Sequence, residues 1–128
     1  MQLNEFMQSY ADEIKGHYSE YDDERSVIIV PLKDERQQTV IAEISENKEV
    51  VNISSKVCDE DDNIDAMELL RENHNHSFCK FAFSNGFLKV ESTFKTKNID
   101  EDLLKKVIVV IANLADVWEF KITGKDIF

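Results

Sequence analysis

Three groups of residues have the types and spacing to do chemistry. Asp59, Asp61, Asn63 and Asp65 follow the first half of a calcium loop, D-x-D-x-N-x-D. Hard oxygen donors at alternate positions suit that cation. The sixth position, however, is Ile64, where the sharp turn needs glycine, and the twelfth is Leu70, where a bidentate glutamate belongs. Acids ahead of a short apolar stretch cap a helix and complement its dipole, which accounts for the run without a metal. His74, His76 and Cys79 form the second group, with imidazole and thiolate ligands that zinc accepts. A fourth ligand is not supplied nearby, and a helix end followed by a buried cysteine is the competing account. Cys58 with a histidine is the third group, in principle a nucleophilic pair. Nothing in the sequence orders that pair, and no serine elbow, phosphate loop, dinucleotide fingerprint or H-E-x-x-H occurs. With three glycines in the chain, a backbone cradle for phosphate is hard to build. The residues point away from an enzyme and imply no cofactor. A metal-binding regulator or small enzyme using His74, His76 and Cys79 stands as the alternative.

Size and charge narrow the field further. A chain of 128 residues, 42% hydrophobic and 32% charged, has the makings of one soluble domain with its own core. One proline and three glycines leave little room for linkers or low-complexity segments. Twenty-six acidic against fifteen basic residues give a formal charge of −11. Nucleic acid and anionic membranes are repelled within about a Debye length, ~8 Å at physiological salt, so neither is an expected partner. Two cysteines do not make a secreted disulfide framework, and the first residues carry no basic leader with an apolar core. The expected address is the cytoplasm.

The elements that position these residues follow from periodicity. Leu3, Phe6, Met7, Tyr10, Ala11, Ile14 and Tyr18 recur at threes and fours, which predicts an amphipathic helix over residues 3–18. Residues 27–30, 38–44 and 50–57 are β-branched or alternating and predict a three-stranded meander with short polar turns. A short helix carrying Ile64, Met67, Leu69 and Leu70 comes next, with His74 and His76 just past its end.

The stretch from Ser77 to Phe128 is the most informative. Asn85-Gly86 predicts a two-residue type I′ turn, which sets Phe83 against Leu88, Phe81 against Val90 and Cys79 against Ser92. The other face then pairs Lys80 with Glu91 and Ala82 with Lys89, and a one-residue slip would turn the phenylalanines to solvent. Asn98 with Glu101 has the form of a capping box for a last helix from Asp100 to Trp118. Its core stripe is Leu103, Leu104, Val107, Ile108, Ile111, Leu114, Ala115 and Trp118. Val109 and Val110 widen the apolar surface beyond that stripe. Burying one valine side chain is worth ~1.5–3 kcal/mol, so the first helix or a second subunit is expected to cover them. Phe78, Phe87 and Ala82 fall on the hairpin face opposite the core, as scattered exposure or as a partner patch.

The predicted order α-β-β-β-α-β-β-α makes this an α+β single domain, an antiparallel sheet with helices packed on it. That order, carried by residues 26–32, 36–40, 51–57 and 111–119, resembles the type III secretion chaperone-like fold of the Tir-chaperone (CesT) group and the YbjN-like proteins. The resemblance spans nearly the whole chain, residues 1–128. It implies a non-enzymatic homodimer that binds an extended, partly apolar segment of a protein client or regulatory partner. On that reading Phe78, Phe87, Val109 and Val110 form the partner or dimer surface.

Overall fold

Leu3, Phe6, Met7, Tyr10 and Ala11 return to one side of the first helix, and all five are buried. The computed structural model describes residues 2–124, and in it this helix, α1, spans Leu3–Glu13. It stops short of the predicted end. His17 and Tyr18 belong instead to a strand, β1 (His17–Asp22), which the helical spacing of Tyr18 conceals. The switch happens at Gly16. A Cβ there would collide with the carbonyl oxygen of Ile29, so only glycine lets the chain turn back this close to its neighbour. Tyr18 then lies opposite Ile28 and packs against the core from a strand.

The remaining elements are β2 (Arg25–Pro31), β3 (Gln37–Ile44), β4 (Val50–Asp59), α2 (Ala66–Asn73), β5 (Lys80–Ser84), β6 (Phe87–Lys95) and α3 (Glu101–Thr123). The strands form one antiparallel sheet in the order β1-β2-β3-β4-β6-β5. The α+β class is therefore as the sequence indicates, with β1 added at one edge. No helix among the described residues is long and apolar enough to cross a membrane.

All three helices cover the same face. α1 lies on β1 and β2, α3 on β3, β4 and β6, and α2 on β5. Ile28, Val40, Ile53, Leu88 and Val90 point up into this layer and share one core with Leu104, Val107, Ile108 and Ile111 of α3, all without solvent exposure. The hairpin has the expected register, with Lys80 opposite Glu91, Phe81 opposite Val90, Ala82 opposite Lys89 and Phe83 opposite Leu88. Asn85 and Gly86 both take positive φ, 54° and 84°, as a type I′ turn requires.

Helix ends differ in detail from the sequence pattern. Asp65 caps α2 by accepting from the N–H groups of Met67 and Glu68 at 3.1 and 3.2 Å. Asp100, not Asn98, caps α3, accepting from Leu103 N–H at 2.8 Å, and Asn98 sits in a preceding 3₁₀ turn. Gly124 ends α3 in the left-handed region.

Polar side chains stitch places the ladders do not reach. The β3–β4 pairing ends at Ile41–Ser54, and beyond it the buried Gln38 amide donates to Ser55 Oγ and the Lys56 carbonyl at 2.9 and 2.8 Å. Arg36 Nε donates to Asp116 Oδ2 at 2.8 Å, tying the β2–β3 connection to α3. At the outer side of β5, the Asn73 side chain accepts from Phe81 N–H at 2.6 Å and donates to the Phe81 carbonyl at 3.3 Å.

Gly16→Ala is expected to lose about 1–3 kcal/mol in urea unfolding, because the obstacle is backbone and cannot rotate away. An unchanged midpoint would mean that α1 and β2 are not held this close.

Candidate partner-binding surface

The three chemistry-bearing groups do not assemble into reactive sites. Asp65 is the helix cap just described, and Asp59 ends β4, its N–H bonded to Asp62 Oδ2 at 3.0 Å. His76 Nε2 sits 3.0 Å from Glu72 Oε1, His74 is exposed at the end of α2, and Cys79 is buried in the core. Among the described residues, no group of three or more His, Cys, Asp or Glu gathers to hold a metal. Cys58 is buried too. Burial, then the nearby acids Asp62, Asp59 and Glu119, push its thiol up to about 11. A nucleophilic cysteine needs the opposite surroundings, positive charge and a depressed pKa.

What the structure offers instead is exposed apolar surface, most clearly on α3. The helix buries the expected stripe through Leu104, Val107, Ile108, Ile111 and Ala115, but its last turns reverse the usual polarity. Asp116 and Glu119 face inward at 3% and 0% exposure. Val109, Val117 and Phe120 face outward at 42%, 48% and 60%. With Asn113 between them, these residues follow one another at spacings of four, four and three, a line ~16 Å long at 1.5 Å per residue. Val109 was legible in the sequence. Val117 and Phe120 were not: Val117 falls outside the core stripe, and Phe120 lies past the predicted helix end at Trp118, whereas α3 runs on to Thr123. Val110 is half-buried against the core and belongs to the packing of the helix as much as to its surface.

The sheet face without helices is the second apolar region. Val27 lies opposite Ile41 and Ile29 opposite Thr39 there, with Ala82 and Phe87 on β5 and β6. Phe87 is half-buried, with Lys56 Nζ 4.0 Å above its ring. Phe78 is not on this face. β5 begins only at Lys80, so strand alternation does not extend back to Phe78, which packs against the core with Lys106 Nζ 4.5 Å from its ring. A third region lies between α2 and β5, an apolar groove of about 230 Å³ floored by Leu69, Phe81 and Leu88. Phe83 and Leu70 line it and are exposed, and Met67 stands exposed on the same helix. Phe83 is on the core face as expected, but α2 leaves it uncovered.

No protein-family model matches the sequence, and no curated protein does. Solved structures do match. One is a chain of the HopA1-SchA chaperone-effector complex, with a TM-score of 0.65, 11% identity, and coverage of 93% of this chain and 97% of that one. Another is a chain of the ExsC-ExsE complex, with a TM-score of 0.64, 13% identity, and coverage of 91% and 90%. The chain has a type III secretion chaperone-like fold. At these identities the likeness is one of backbone arrangement. The exposed apolar side chains of this chain lie on the last helix, on the open sheet face and in the α2–β5 groove.

Both cysteines are expected to resist a thiol reagent such as dithionitrobenzoate at pH 8 until the protein is unfolded, because burial raises both thiols. Rapid stoichiometric labelling of native protein would overturn this placement.

Proposed function

We propose that this chain is a non-enzymatic, chaperone-like or regulatory protein-binding module that works as a homodimer and holds an extended segment of a partner protein. The observation that carries the reading is the reversed polarity of α3. Leaving two valines and a phenylalanine in water while burying two carboxylates is unfavourable on both counts for an isolated chain. A second subunit seated on Val109, Val117 and Phe120 removes the first cost. The similarity to a chain of a chaperone–effector complex supports the same class of role.

The client side of the reading uses the sheet. An extended segment laid over the open face would set apolar side chains against Val27, Ile41, Ala82 and Phe87. The groove between α2 and β5 is of a size to take one such side chain. Main-chain pairing at a free strand edge would add affinity without demanding a particular sequence. Phe78 and Val110 contribute by holding Lys106 and α3 in place.

Light scattering on a sizing column should give a concentration-stable mass near twice 14.9 kDa. Val117→Asp and Phe120→Asp should each shift that mass toward the monomer with an unchanged far-ultraviolet spectrum. A wild-type monomer at every concentration would sink the dimer. For the client, Phe87→Asp should weaken capture of peptides selected from a displayed library while leaving folding intact. An insoluble Phe87→Asp protein would instead place Phe87 in the core.

A further inference from the structure

A cleft of about 630 Å³ opens at one end of the sheet, lined by Lys48, Glu49, Val50, Lys95, Thr96 and Lys97. Its frame is built rather than fortuitous. In the turn between β3 and β4, Asn47 Oδ1 accepts from Ser45 Oγ at 2.6 Å and from Glu49 N–H at 3.0 Å. Lys48 takes a left-handed φ of 61°, closing that turn. Thr96 N–H donates to the Glu49 carbonyl at 2.8 Å and fixes the end of β6 beside it.

The charges in this frame run against the rest of the chain. Twenty-six acidic residues are available to fifteen basic ones, yet three lysines are left together here. None of the ion pairs among the described residues uses Lys95 or Lys97, and Lys48 reaches only Glu24, at 4.0 Å. Glu49, the one carboxylate in the wall, is engaged by Asn47 Nδ2 at 3.3 Å. Several lysines elsewhere are drawn to aromatic rings or acids, as Lys56 is to Phe87 and Lys105 to Glu13. Three like charges held together with one carboxylate in the wall favour an anionic occupant and steer it to this place.

We propose that the cleft binds an acidic stretch of a protein partner, carboxylates meeting Lys48, Lys95 and Lys97 while a small apolar side chain rests on Val50. Val50, partly exposed in the wall, gives an apolar contact that a bare phosphate cannot use. The occupant rests on the protein-binding role proposed above. It adds to that role a polarity, since the same end of the sheet carries Asp22, Asp23 and Glu24 on the β1 side and the lysines toward β6.

The test is fluorescence polarisation of a labelled peptide of alternating glutamate and alanine with one central leucine. Binding should weaken at least about tenfold, ~1.4 kcal/mol, in the double variant K95E/K97E, and should fall steeply as salt rises. Both lysines are exposed, so the variant should keep the wild-type unfolding midpoint. No binding at low salt, or equal binding by wild type and K95E/K97E, overturns the proposal. Displacement of the peptide by an equal concentration of inorganic pyrophosphate overturns it in favour of a small-anion site. Val117→Asp, aimed at the subunit contact, should bind the peptide normally, so failure of the dimer and failure of the cleft are read separately.

Discussion

The contact between α3 and strands β3, β4 and β6 is the constraint on which the rest of the molecule depends. Leu104, Val107, Ile108 and Ile111 are shut off from solvent against the centre of the sheet, and Ala112 and Ala115 let the helix lie close. A single long helix over the central strands leaves the flanks to shorter ones, α1 over β1 and β2, α2 over β5. Truncating any of the large side chains at that contact would leave a cavity costing ~2–5 kcal/mol, a large part of a small domain's stability. The same contact explains why the other sheet face is bare. Every helix is already committed to one side.

Charge is arranged around that frame in an unusual way. Burying Asp116 beside Arg36 at the sheet end of α3 spends a desolvation penalty in return for holding the β2–β3 connection against the helix. Glu119 goes in with it, and the outward positions are left to Val117 and Phe120. Acids therefore do structural duty inside the protein while apolar groups stand outside. The lysines at the far end of the sheet complete the inversion, a positive cleft on a strongly negative molecule.

How much of this was legible in the sequence depended on how local the signal was. The hairpin at Asn85-Gly86 was readable to the residue, because a two-residue turn fixes the register by itself. The long helix was readable from its apolar run, although its cap lay two residues later than the Asn98 pattern suggested, two good capping residues being present two positions apart. β1 was not readable. His17–Asp22 is nearly all polar and exposed, and it is a strand because β2 is beside it and Gly16 lets it get there. Of the candidate surface, Val109 and Phe87 were visible as surplus apolar residues. Val117 and Phe120 were missed because the predicted helix stopped at Trp118 and its surplus apolar residues were sought only at Val109 and Val110, and Phe78 was misplaced by extending an alternation past the start of its strand.

The bond between Asn73 and the backbone of Phe81 has a consequence for how copies of this sheet can grow. A sheet with two receptive borders can add strands at both and run on into a fibre. Here the border at β5 is already occupied at its second residue, Phe81, by a side chain that imitates a strand, offering the donor and the acceptor a neighbouring chain would bring. A chain seeking to lengthen the sheet at β5 must first displace that asparagine, so growth from this border is held back by one side chain.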